Sequence, residues 1–70
     1  MFCRARQLRV EQNLTIDEVA RRTEVDRSRI SRFERGYLRL RLDELRRIAG
    51  VLEVTIEQLT EPAAAGPENI

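Results

Sequence analysis

Arginine is concentrated in the stretch VDRSRISRFERGYLRLRL, residues 25–42, which holds six of the thirteen basic residues but only two carboxylates. Positions 28, 31, 32 and 35 follow the i, i+3, i+4, i+7 spacing of one helix face, and all four are Ser or Arg. Arg can hydrogen-bond guanine bidentately, and Ser or helix N-terminal amides can hold a phosphate. The pattern favours contact with duplex DNA, although an ordinary solvated arginine-rich helix would show the same spacing.

The elements that would position this face are helices. Thr15 opens a capping box, TIDE, that predicts a second helix running to about Arg22, and Asp26 is the N-cap of a third helix over residues 26–35. Gly36 supplies the left-handed residue that commonly ends a helix. Only the residues TEV join the two helices, so they must cross steeply, as in a helix-turn-helix. The apolar residues predicted to hold them together are Val19, Ala20, Val25, Ile30 and Phe33.

Three further helices complete an all-α prediction. The first covers residues 4–12, and the fifth begins with the capping box TIEQ at residues 55–58 and buries Leu59. The fourth begins after Arg41 and is predicted to bury Leu42, Leu45, Ile48, Ala49 and Leu52. The segment LRLRL at residues 38–42 alternates as a strand would, but it could pair only with a second copy of the chain. We expect a helical domain over residues 1–60 and a flexible tail over residues 61–70.

Composition excludes several classes of protein. The chain has 70 residues, one cysteine and no histidine, so a disulfide framework or a metal site within one chain is not expected. A phosphate-cradling Gly-rich loop and a pocket of paired carboxylates are missing too, which argues against an enzyme and against a cofactor. An apolar leader or membrane span is not seen, and we expect a cytoplasmic protein. The charge is +5 over residues 1–47 and −4 over residues 48–70, which suggests a polyanion-binding face.

Residues 4–60 resemble the helix-turn-helix domain of Cro and phage repressors, the xenobiotic-response-element family of bacterial regulators. The resemblance lies in RQLR before LTIDEVA, then VDRSRISRFERG, then LDELRRIAGVLEVTIEQL. It implies a five-helix, lambda-repressor-like fold and binding to double-stranded DNA. A narrower resemblance links DRSRISRFERG to the controller proteins of restriction-modification systems.

The resemblance also implies residue roles. Base-reading side chains would be Arg27, Ser28 and Arg32. The sugar-phosphate backbone would be met by Ser31, Arg35, Tyr37, Arg39 and Arg41. Glu34 aligns with a carboxylate that pairs with an arginine of the first helix, here Arg9.

Three positions depart from the family pattern. Ile16 stands where relatives usually have a Gln that touches phosphate and braces the recognition side chain, so one polar clamp is missing. Glu24 replaces the usual turn glycine and would be held at positive φ at a cost of about 1 kcal/mol. Arg41 replaces a small polar helix cap, which frees it for phosphate but weakens the start of the fourth helix.

The function that follows is sequence-specific transcriptional regulation, as a repressor or controller. Because one recognition helix reads few base pairs, we expect a homodimer on a pseudo-palindromic operator. Candidates for the dimer interface are Val51, Val54, Ile56 and Leu59. The alternative is an antitoxin or adaptor that binds a partner protein and regulates its own promoter, which the acidic C-terminal third would suit. No small-molecule ligand is evident.

Overall fold

The computed structural model describes residues 3–61, which contain five α-helices and no strand. They are α1 (Arg4–Glu11), α2 (Ile16–Thr23), α3 (Arg27–Glu34), α4 (Leu42–Leu52) and α5 (Ile56–Thr60). The predicted all-α architecture is confirmed, and the predicted tail beyond residue 61 lies outside the described residues. Residues 38–41 are irregular: Leu38 is half-buried and Leu40 buried, whereas Arg39 and Arg41 are exposed, which explains the alternation without a strand.

Both predicted capping boxes are present. The Thr15 hydroxyl accepts the Glu18 amide at 3.1 Å, and the Glu18 carboxylate accepts the Thr15 amide at 3.2 Å. At the start of α5, Thr55 and Gln58 make the same reciprocal pair at 3.1 and 3.0 Å. Each pair satisfies donors that the first helical turn leaves free, and so fixes where these helices begin.

Residues with a left-handed backbone follow each of the first four helices. Glu24 and Glu53 are the C-caps of α2 and α4, with φ of 59° and 60°, and Asn13 lies after α1 with φ of 59°. Gly36 follows α3 with φ of 84°. For the two glutamates this conformation costs about 1–2 kcal/mol each, because their Cβ approaches the backbone.

The core lies where α1 and α5 close over α2, α3 and α4. Its four most deeply buried large side chains are Val19, Ile30, Leu52 and Leu59. The remaining buried apolar residues are Ala5, Val25, Phe33, Leu40, Ile48 and Ala49. Across residues 3–61, no helix has the length and apolarity needed to cross a membrane.

The prediction that Leu42 is buried was wrong, because 55% of it is exposed. At the start of α4 the buried side of the helix passes through Glu44 and Ile48, which are four residues apart and both buried. Leu45 is half-buried, and Leu42, three residues before it, lies beyond the edge of the core. The buried side of α4 thus includes a carboxylate, that of Glu44, where a leucine was expected.

The start of α1 meets the end of α5. The Arg4 amide donates to the Glu61 carbonyl at 2.6 Å, and the Arg4 guanidinium lies 3.5 Å from the Glu61 carboxylate. At the other end of α1, the Gln12 side-chain amide donates to the Leu52 carbonyl at 2.8 Å. These bonds fix α1 against the C-terminal half of the domain.

Candidate nucleic-acid interface

The turn between α2 and α3 consists of residues 24–26 and is built around Thr23. The Thr23 side chain is buried, donates to the Val19 carbonyl at 2.7 Å and accepts the Val25 amide at 3.3 Å. Glu24 is in the left-handed region, and Val25 enters the core. The short connection predicted from TEV is therefore present, with three residues between the two helices. Sequence reasoning overlooked Thr23, although a hydroxyl just before a left-handed residue is a typical turn feature.

Asp26 caps α3 and engages Ser28 twice. Its carboxylate accepts the Ser28 amide at 3.0 Å and also the Ser28 hydroxyl. These hydrogen bonds, the side-chain one first, hold the pKa of the Asp26 carboxyl below its ordinary value. Because the Ser28 hydroxyl already donates to Asp26, it is left to accept a hydrogen bond, for example from the amino group of a base.

The inner side of α3 is anchored by Glu34. Its carboxylate receives two hydrogen bonds from Arg9, at 2.8 Å from Nε and 3.1 Å from Nη2. Arg9 Nη1 also donates to the Leu14 carbonyl at 2.8 Å, so one guanidinium joins α1, the loop before α2, and α3. The side chains are only 13% and 5% exposed. The structure thus brings together the pair that the resemblance implied, and Glu34 faces away from solvent.

The outer side of α3 carries the predicted stripe. Arg32 and Arg35 are exposed, and Ser31, one residue before Arg32, is half-buried. At the start of the helix, Arg27 Nε lies 3.2 Å from the Asp17 carboxylate, with both side chains about two-thirds exposed. This pair brings α2 into contact with the first residue of α3 at the surface.

The loop after α3 continues this surface. The Tyr37 amide donates to the Arg32 carbonyl at 2.8 Å, and Leu40 is buried, which fixes the loop at two points. Tyr37 is 78% exposed, as is the Arg41 side chain, and Arg39 is exposed between them. We call Arg32, Arg35, Arg39 and Arg41 the arginine face.

The arginine face is not neutralised by acidic side chains. Within residues 3–61, Arg32, Arg35 and Arg39 have no ion pair, and Arg41 approaches one carboxylate oxygen of Glu44 only at 3.9 Å. Four exposed arginines on α3 and the loop after it, of which only Arg41 lies within 4 Å of a carboxylate in residues 3–61, suit a polyanion whose phosphates are regularly spaced.

Arg29, the remaining arginine of the stretch, is not part of this face. Its Nη2 donates to Glu44 at 2.8 Å, and Glu44 is buried. The sequence did not reveal this pair because its partners are 15 residues apart. In addition, an acidic residue in the first turn of a helix, such as Glu44, is usually exposed. The i, i+4 relation of Glu44 to the buried Ile48 was the available indication.

The four candidates for a dimer interface separate into two groups. Val51, Val54 and Ile56 are half-buried, so each retains surface that a second copy could cover. Leu59 has no exposed surface, and assigning it to the interface was wrong. As the fourth residue of α5 it faces inward, where it is one of the most deeply buried residues of the protomer's own core.

The comparisons with known proteins agree with this geometry. The sequence model of the helix-turn-helix family matches residues 6–59. A solved structure, that of a hypothetical transcription factor named NHTF from Neisseria, superimposes with a TM-score of 0.73 at 29% sequence identity. The match covers 93% of this chain and 68% of that one. No curated protein matches the sequence.

Proposed function

The chain belongs to the helix-turn-helix family, in its Cro and phage-repressor form, and is a DNA-binding transcriptional regulator; from this premise we propose that it acts as a sequence-specific homodimer. The observation that carries the proposal is the arginine face, four exposed arginines on α3 and the loop after it. In a dimer, two such faces would enter successive major grooves about 34–36 Å apart. The operator would then be a pseudo-palindrome, and regulation would follow from occupancy as a repressor or controller.

The residues proposed to contact DNA fall into two groups, one that contacts bases and one that contacts phosphates. Arg27, Ser28 and Arg32 lie on the outer side of α3 and are the proposed base readers. The proposed phosphate contacts are Ser31, Arg35, Tyr37, Arg39 and Arg41. Arg27 must leave Asp17, or keep that contact through Nε while its terminal nitrogens meet a base, since its guanidinium offers five donors.

Dimerisation is proposed through the half-buried valines and isoleucine near α5, namely Val51, Val54 and Ile56. Replacing Val51 with Asp should shift the protein toward monomer, because Val51 is not among the apolar residues packed on the core and the carboxylate would meet its symmetry mate. Sedimentation of the wild type and the variant at several concentrations tests this. A wild type that stays monomeric alone and on its DNA site would exclude the dimer.

Selection of bound sequences from a random DNA pool tests the function itself. The expected result is a pseudo-palindrome whose half-sites each contain a guanine. Binding to that site should weaken about a thousandfold or more between 50 and 200 mM salt if six or more phosphates are contacted by the dimer. Binding without sequence preference would exclude specific regulation, and binding that is indifferent to salt would exclude the phosphate contacts.

Two single variants then distinguish base recognition from phosphate binding. Arg32→Ala should cost about 1–3 kcal/mol on the selected site and relax selectivity at one position of each half-site. Arg39→Ala should weaken binding to all sequences alike and reduce the salt slope by about one for each phosphate that is no longer neutralised. The opposite assignment, with Arg39→Ala changing base preference and Arg32→Ala not, would make the loop the reading element.

A further inference from the structure

Glu44 is a buried carboxylate next to a surface that should attract phosphate. It is 6% exposed and lies in the first turn of α4. One of its oxygens accepts Arg29 Nη2 at 2.8 Å and the Arg41 amide at 2.9 Å, and the other lies 3.9 Å from the Arg41 guanidinium. Within residues 3–61, each of these polar contacts of the carboxylate is with a hydrogen-bond donor or a cation.

These partners explain why the carboxylate stays charged where it is buried. Moving a carboxylate out of water is costly unless charged or hydrogen-bonded partners replace the water. The hydrogen bond from Arg29, followed by that from the Arg41 amide, lowers the pKa of Glu44. The same contact commits one of the two terminal nitrogens of Arg29, Nη2, to Glu44.

Glu44 connects two elements that are separate in the sequence. Arg29 belongs to α3, whereas Arg41 is the last residue of the loop and the N-cap of α4. At the other end of that loop, the Tyr37 amide is bonded to the Arg32 carbonyl of α3. The loop is thus tied to α3 at both ends, with Arg39 exposed between the two attachments.

We propose that Glu44 is a positioning residue for DNA binding: through Arg29 it holds residues 37–41 against α3, so that Arg39 and Arg41 meet the phosphates beside the bases that α3 reads. The proposal rests on the proposed function, and assigns Glu44 no contact with DNA. In this proposal Arg29 connects Glu44 to α3, although its place in the arginine-rich stretch suggests a DNA contact.

Asp43 provides a matched control. It is the neighbouring residue in the same helical turn, carries the same charge, is exposed and forms no ion pair within residues 3–61. Removing a carboxylate near a DNA-binding surface should by itself strengthen binding, since repulsion of phosphate is relieved. The proposal predicts the opposite for Glu44, because its removal releases the loop.

The experiment compares Glu44→Ala with Asp43→Ala on the selected site and on unrelated duplex DNA, over a salt series. Asp43→Ala should bind both DNAs as tightly as the wild type or more tightly. Glu44→Ala should weaken binding to both DNAs by about tenfold per protomer, the loss expected for one charge-assisted hydrogen bond. Its salt slope should be shallower by about one to two per protomer.

Two combined variants test whether Glu44 acts through the loop. In a protein that already carries Arg39→Ala and Arg41→Ala, adding Glu44→Ala should no longer weaken DNA binding, because the two arginines that it positions are gone. Adding Arg29→Ala to Glu44→Ala should also have no further effect. A full additional loss in either combination would overturn the proposal, the second because it would make Arg29 a DNA contact.

Two outcomes distinguish this proposal from the proposed function. If the wild type selects a site but Glu44→Ala and Asp43→Ala behave alike, only the positioning role is wrong. If the wild type binds no DNA, both fall together. Circular dichroism monitors folding, and should Glu44→Ala fail to fold, Glu44→Gln against Asp43→Asn carries the same comparison, since Gln can still accept the Arg41 amide but loses its charge toward Arg29.

Discussion

The two ends of α3 are held by ion pairs of different kinds. At the C-terminal end, Glu34 binds Arg9 through two hydrogen bonds, and both side chains are nearly buried. At the N-terminal end, Arg27 touches Asp17 through one contact of 3.2 Å, with 69% and 66% of the side chains exposed. The first pair is enclosed by protein, and the second is surrounded by solvent.

This difference separates stability from recognition along one helix. A buried pair cannot lose a partner cheaply, because the remaining charge has no water around it. An exposed pair contributes little, since water and salt already screen it. The C-terminal end of α3 is therefore fixed to the body of the domain, while Arg27 at the N-terminal end, a proposed base reader, can leave its carboxylate without a large loss of folding free energy.

Breaking the buried pair of Arg9 and Glu34 should have the largest effect on the free energy of unfolding. Arg9→Ala leaves Glu34 buried without its cation and should lower the free energy of unfolding by about 3 kcal/mol, measured in urea. Base preference among the folded molecules should stay as in the wild type, which competition between operator variants would reveal. A variant of undiminished stability with altered preference would instead place Arg9 at the DNA.

Arg9→Lys separates charge from geometry in the same pair. Lysine keeps the cation but cannot reproduce the planar fork that bonds two Glu34 oxygens and the Leu14 carbonyl. We expect roughly half of the loss seen with alanine, in the same urea assay. Full stability in the lysine variant would show that charge alone holds this end of α3.

A substitution in the turn between α2 and α3 should change the free energy of unfolding by less, and in the opposite direction. Because Glu24 has φ of 59°, Glu24→Gly should raise the free energy of unfolding by up to about 1 kcal/mol. Glu53→Gly is a matched control at the end of α4, where φ is 60°, and should stabilise to a similar degree. Destabilisation by glycine at position 24 alone would mean that the Glu24 side chain contributes to the turn.

Breaking the exposed pair should have the smallest effect on folding. Asp17→Ala and Arg27→Ala should each change the free energy of unfolding by no more than about 0.5 kcal/mol. Their effects on DNA binding should differ in sign, since only Arg27 is a proposed reader and Asp17 carries a charge that phosphate repels. A loss of stability near that of Arg9→Ala would remove the distinction between the two ends.

Local features of the fold could be predicted from sequence because their causes are local. The boxes at Thr15 and Thr55, the cap at Asp26 and the left-handed Gly36 each depend on residues within a few positions. The strained Glu24 and the pair of Arg9 with Glu34 required the family resemblance as well. These local features determined where α2, α3 and α5 begin and how the turn between α2 and α3 is made.

What could not be predicted depends on how the helices meet. Glu44 resembles any carboxylate in a first helical turn, and nothing near it in the sequence shows that Arg29 lies against it. Leu42 and Leu59 fit the apolar spacing equally well, yet Leu42 at the start of α4 is exposed beyond the edge of the core, whereas Leu59 on the inner side of α5 is fully buried. Interface candidates chosen by apolarity alone therefore included a residue of the core.

The bonds between Arg4 and Glu61 also determine how this domain could be joined to other chains. Since its first and last helices meet, polypeptide attached at either end would depart from the same corner of the structure. A short linker between residues 61 and 3 could close a single copy into a ring that is opened elsewhere. The domain is thus suited to circular permutation.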